Sequence, residues 1–168
     1  MPEYQHLVIT PLNPGHDRTG FQCGVAALDR YLKKQAKQDS KRRISRTFVA
    51  TKPDNQKLVI GYYILSSLSI ELNQLPQDLA RKLPRHPIPA ALIGRLAVSN
   101  AAQSQGVGKM LLADAIKRAL VVSDQIAIYA LVVDAIDDNA IGFYGQFGFT
   151  RLNDDGQRLS LPLKSINL

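Results

Sequence analysis

The chain has 168 residues, 45% of them hydrophobic, and a formal net charge of +7 at pH 7. That is length enough for one compact domain (1–168) with its own core. The single cysteine, Cys23, excludes an internal disulfide, no histidine lies beside it to suggest a metal site, and no apolar run reaches membrane-spanning length.

The opening stretch lacks the basic-then-apolar order of a signal peptide, so a cytoplasmic protein is expected. Its "HLVITPL" reads as a first strand and "FQCGVAALDRYL" as the start of a helix. That helix runs into "RYLKKQAKQDSKRRISR", residues 30–46, where eight of seventeen residues are Lys or Arg and Asp39 is the only acid. On one continuous helix Arg30, Lys33, Lys34, Lys37 and Lys41 form a stripe about 16 Å long. Val25, Leu28, Leu32 and Ala36 fall opposite it, at core spacing. A solvated face is the ordinary reading of such a stripe, but a solvated face usually mixes both signs. We therefore expect contact with nucleic-acid phosphates rather than base edges.

Beyond it, "RTFVAT" and "KLVIGYYILSSLSIEL" are β-rich runs joined by the hairpin signal "KPDNQ". "LPQDLARKL" reads as a short helix stopped by Pro84, and a proline-rich loop leads into a strand ending near Val98. Next comes the turn "AAQSQGVGK" and an amphipathic helix with Val107, Leu111, Leu112, Ala115, Ile116, Ala119 and Leu120 on one side. Asp114, Lys117 and Arg118 fall on the other. The strand "IAIYALVVDA", a short helix "DDNAIGFYGQFG" and a last strand pair complete the chain. Alternating elements of this kind pack as a mixed sheet with helices on both faces, an α/β fold.

Two glycines at a helix start suit an anion, because the first N–H groups lack internal partners and glycine lets the backbone approach. Lys109 is not followed by Ser or Thr, which excludes a P-loop, and Leu111 occupies the third glycine of a dinucleotide fingerprint. A tight turn without a ligand is the plain alternative.

Strand "IGRLAV", then Gln103-x-x-Gly106-x-Gly108 opening a helix, then "ALVVDA", then "AIGFYGQFGF", resembles the GCN5-related N-acetyltransferases, or GNAT family. The resemblance implies a mostly antiparallel sheet with one splayed parallel pair, and coenzyme A pyrophosphate held at the glycine turn. It also implies a pantetheine arm lying along "GRLAV" as an added strand. Acetyl-CoA is thus the implied cosubstrate, contacted by Leu96, Ala97, Val98, Gln103, Gln105, Gly106, Val107, Gly108, Lys109, Asn139 and Phe143, with an oxyanion donor near the Val98 N–H. Asp137 stands where many members carry Asn. More narrowly, five blocks, "FQCGVAALDRYL", "GYYILSSLSI", "LPRHPIPAALIGRLAV", "DAIDDNAIGFYGQFGF" and "RLSLPL", resemble acetyltransferase toxins of toxin–antitoxin pairs. This implies acetylation of the α-amino group of aminoacyl-tRNA, a ribbon-helix-helix antitoxin and a homodimer, with the basic stripe, Arg85 and Arg95 toward tRNA. Arg95, inside a strand, could equally pair with an internal acid.

The resemblance makes Tyr144 the general acid. Its aromatic neighbours Phe143, Phe147 and Phe149 allow a plain core role as well. A departing thiolate near the thiol reference of about 8.5 needs a proton, which tyrosine at about 10 still holds at neutral pH. No strong base is evident; His86 in the proline-rich loop is the one candidate, and a solvated histidine is its ordinary reading. An α-amino group near 8, lowered further by its neighbouring ester, needs little help, unlike lysine near 10.4. Cys23 reads as structural. Two other functions compete: acetylation of a protein N-terminus or small amine, and a binding module with no catalysis. Intact Gln103, Gly106, Gly108 and Tyr144 weigh against the last.

Overall fold

A computed structural model describes residues 3–84, 87–152 and 156–166. Arg85 and His86 lie outside the described residues. Seven strands form one mixed sheet in the order β1-β2-β3-β4-β5-β7-β6: β1 (Val8–Pro11), β2 (Arg46–Thr51), β3 (Gly61–Ile70), β4 (Ile88–Val98), β5 (Ala130–Asp134), β6 (Thr150–Arg151) and β7 (Arg158–Pro162). The helices are α1 (Ala26–Lys34), α2 (Ala36–Lys41), α3 (Gln77–Ala80), α4 (Val107–Ser123) and α5 (Asp138–Gly145). β4 and β5 run parallel, while the β1/β2, β2/β3, β5/β7 and β6/β7 pairs are antiparallel.

The chain divides into two compact units, residues 1–66 with 94–117, and residues 67–93 with 118–168. In the first, Phe21, Tyr31, Leu32, Val49, Tyr62 and Ala97 make the core. Val107, Leu111, Leu112 and Ala115 of α4 are all but fully buried, as the helical spacing requires. Gly61 is needed for close approach: a Cβ there would stand 3.0 Å from Leu111 Cδ1, 3.1 Å from the Ala97 carbonyl oxygen and 3.3 Å from Val107 Cγ1. In the second, Ile70, Leu75, Ile88, Ala90, Val132 and Leu152 pack together. Arg158 donates to both carboxylate oxygens of Asp134, at 2.7 and 2.8 Å, across the β5/β7 pair.

The structure departs from the expected continuous basic helix. Gln35, with φ widened to −118° at ψ −29°, separates α1 from α2. The break accompanies burial of Ala36 and brings Asp39 back to the Tyr31 hydroxyl. Val25 is 40% exposed at the start of α1, so it does not belong to the packed side. Asp114 does not simply face solvent either, because it accepts a hydrogen bond from Tyr63 Oη at 2.5 Å. β5 is shorter than its apolar run: Ile126 is 66% exposed, and pairing with β4 begins only at Ala130.

Replacing Gly61 with Ala forces a side chain against a backbone oxygen that cannot turn aside. We expect a loss of about 1–3 kcal/mol of stability, read as a lower urea midpoint at unchanged slope.

Candidate active site

The parallel register of β4 with β5 covers Ala90–Ile93, and β4 runs on beyond it to Val98. On the other side, the Ser99 N–H donates to the Ile60 carbonyl at 2.9 Å, and the Ala97 carbonyl lies close to Gly61. Backbone groups alternate sides along a strand, so the N–H groups of Leu96 and Val98 face away from Ile60 and Gly61. Among the described residues they have no strand partner, an edge of the kind that accepts an added strand.

The turn after β4 presents backbone donors of the kind an anion takes. Gly106 has φ +85°, a conformation that favours glycine, and the space its Cβ would take is open. Ser104 shares the positive sign, at φ 62°. Met110 N–H donates to the Gly106 carbonyl at 3.1 Å, the first bond of α4. The N–H groups of Val107, Gly108 and Lys109 therefore start the helix without intrahelical partners. Buried Val107 anchors that first turn, Gln105, Gly106 and Lys109 are exposed, and the 17-residue helix adds partial positive charge. These donors fit the pyrophosphate of coenzyme A. Gln103 acts within the chain, its Nε2 donating to the Cys23 carbonyl at 2.8 Å and the Val98 carbonyl at 3.0 Å. It fastens the turn to the end of β4.

In the second unit, α5 carries Asn139, Phe143 and Tyr144. Asp137, the unexpected acid, is its N-cap: the side chain accepts the Ala140 N–H at 2.8 Å. Asn139 is exposed and Phe143 half-buried. Tyr144 is 7% exposed, its ring edge-on to Phe143 at 5.1 Å and Phe149 at 5.6 Å between centroids. Burial pushes its phenol up to about 12. The aromatic cluster and the available phenol are therefore one arrangement: the rings fix the side chain and the hydroxyl stays protonated.

Of the basic residues, Arg30, Lys34, Lys37 and Lys41 are exposed and Lys33 is half-buried, now on two short helices instead of one. Arg95 meets no acid among the described residues; its guanidinium carbon lies 3.9 Å from the centre of the Tyr31 ring. Cys23 is buried, with its thiol pushed up to about 11 by burial first and Asp29 second.

The acetyltransferase (GNAT) domain model matches residues 45–151, more than half of the chain. The chain belongs to the GNAT family of acetyltransferases. It is 33% identical over 168 residues to the probable toxin TacT of Sinorhizobium fredii, covering 95% of this chain and 92% of that one. It is 35% identical over 153 residues to a tRNA-acetylating toxin of Mycobacterium tuberculosis, covering 91% and 90%. Among solved structures it is similar to AtaT complexed with acetyl-methionyl-tRNAfMet, at 30% identity, TM-score 0.88 and 95% and 96% coverage. It is also similar to a Tyr-to-Phe mutant of AtaT bound to the C-terminus of the antitoxin AtaR and acetyl-CoA, at 27% identity, TM-score 0.79 and 95% coverage of both chains. The mixed sheet read from the sequence is that of this GNAT fold.

A thiol at about 11 keeps its proton as the pH rises through the ordinary thiol range, so Cys23 is no nucleophile at neutral pH. At pH 8.5 we expect iodoacetamide to label the native protein about a hundredfold more slowly than the unfolded chain, whose thiol is half ionised near 8.5. Equal rates would return Cys23 to candidacy.

Proposed function

We propose that this protein is an acetyl-CoA-dependent N-acetyltransferase toxin, one domain over residues 1–168, that acetylates the α-amino group of aminoacyl-tRNA in the cytoplasm and so blocks translation. The observation that carries the reading is its likeness, over 95% of the chain, to AtaT complexed with acetyl-methionyl-tRNAfMet. The exposed basic residues of α1 and α2, with Arg95, support a polyanionic acceptor. Arg85 is assigned to that acceptor by resemblance alone.

Acetyl-CoA supplies a thioester-activated acetyl group and a thiolate leaving group. Val107, Gly108 and Lys109 present backbone N–H groups to its pyrophosphate, with Gln105 and Gly106 in the same turn. The free edge at Leu96–Val98 holds the pantetheine arm, and the Val98 N–H polarises the acetyl oxygen. Asn139 and Phe143 are assigned to the cofactor from α5. The attacking α-amine, near 8 and lowered by its ester, is largely neutral at pH 7 to 8 and needs no strong base. Tyr144 Oη holds a proton throughout the physiological range. Being a weaker acid than a solvated tyrosine, it serves first as a hydrogen-bond donor to the charge growing on sulfur, and completes the proton transfer as the sulfur leaves. The amine releases a proton as the amide forms, which restores the balance.

The complex of AtaT with its antitoxin supports a protein antitoxin here as well. We assign it the ribbon-helix-helix class, with an acidic C-terminal segment laid over the basic or cofactor surface, and we assign the enzyme a homodimer. A complex that leaves both surfaces open would remove the first assignment, and a monomer by light scattering at micromolar concentration the second.

Incubation with labelled acetyl-CoA should label charged tRNA and not uncharged tRNA, and ester hydrolysis should release the label. Tyr144→Phe should lower the rate about a hundredfold or more while keeping the fold. Label on protein N-termini or small amines, with none on charged tRNA, would overturn the substrate; a fully active Tyr144→Phe would overturn the acid.

A further inference from the structure

Tyr31 lies in the core of the first unit at 4% exposure, yet its hydroxyl is doubly engaged. It donates to Asp39 Oδ2 at 2.7 Å and shares a hydrogen bond with Ser45 Oγ at 3.0 Å. Burial above all holds the phenol above its ordinary range, so it remains a donor. Against the ring lies the exposed guanidinium of Arg95, with no carboxylate partner among the described residues. A guanidinium stacked on an aromatic face keeps its N–H edges free, the arrangement suited to a phosphate.

Asp39 matters for a second reason. It is the only acid among residues 30–46. Bound to Tyr31 and half-buried, it makes no ion pair with the exposed cations of α1 and α2 among the described residues. Arg95 occupies the residue before Leu96 on the part of β4 past its register with β5, on the same side of the strand as core residue Ala97. Arg95, on the strand assigned to the acetyl group, thus lies against a ring whose hydroxyl is fixed by Asp39 of the basic segment and Ser45 at its exit.

We propose that Arg95 clasps a phosphate of the acceptor's single-stranded end beside the transferred acetyl group, and that Tyr31, Asp39 and Ser45 are positioning residues that hold its guanidinium for that contact. This deepens the aminoacyl-tRNA reading and rests on it. A compact substrate lacking that phosphate is handled without the clasp, so the cluster selects for an amino acid carried on RNA.

The test is the salt dependence of KM for charged tRNA. Arg95→Ala should raise KM about tenfold or more, with the effect on KM rather than kcat, and should lower the slope of log KM against log salt by about 0.7. Tyr31→Phe keeps the ring and removes the hydroxyl; it should raise KM several-fold and lower the slope by a fraction of that amount. An unchanged slope in Arg95→Ala overturns the phosphate contact. A folded Tyr31→Phe with wild-type KM and slope overturns the positioning role, and Asp39→Asn repeats that comparison should the tyrosine variant fail to fold. Wild-type protein that acetylates no charged tRNA would instead fail the underlying reading, before any variant is compared.

Discussion

Strand β4 is held on one side for longer than on the other. Its register with β5 ends at Ile93, yet Ala97 and Ser99 still lie against Gly61 and Ile60. The constraint that keeps β4 extended past its β5 pairing is the packing of Gly61 beneath Leu111 and Val107, with no side chain to spare. The cofactor contacts assigned to the first unit depend on it: the N–H groups of Leu96 and Val98, without a strand partner among the described residues, the turn that Gln103 fastens to Val98, and the start of α4 at Val107. A peptide edge, a helix N-terminus and a lysine in the first turn together favour a long, anionic, amide-bearing ligand.

Charge is divided by task in the first unit. Arg30, Lys34, Lys37 and Lys41 face solvent on two short helices, and the single acid among them is engaged by Tyr31. Such surfaces gain affinity through counterion release and carry little base specificity. Selection for a particular amino acid or tRNA then falls to other parts of the protein. In the second unit α5 does a different job: Asp137 caps it, Phe143 and Phe149 lock the Tyr144 ring, and burial keeps the phenol protonated.

Much of this was legible in the residues. The β2 boundaries coincide with the run "RTFVAT", and α4 starts at the glycine turn because its apolar period is long and its first turn is marked by glycines. The break at Gln35 was not legible, because helix propensity continues through it and the contacts that accompany it, burial of Ala36 and the Tyr31–Asp39 bond, are tertiary. Arg95 offered two readings in sequence, a phosphate or an acid, and the structure adds a third partner, the Tyr31 ring. A tyrosine and an aspartate eight residues apart within a basic run were the only hint. Gln103 matched the family pattern, but its tie to Cys23 spans eighty positions and no local spacing announces it.

The most direct measurement of the central claim is hydrogen–deuterium exchange of the full chain with and without acetyl-CoA. Protection of the amides of Leu96 and Val98 together with those of Val107–Lys109 is the predicted result, since one ligand then engages the free strand edge and the helix start at once. Saturating acetyl-CoA that leaves Leu96 and Val98 exchanging at their free rate would contradict the claim that β4 past its register with β5 is the cofactor's edge.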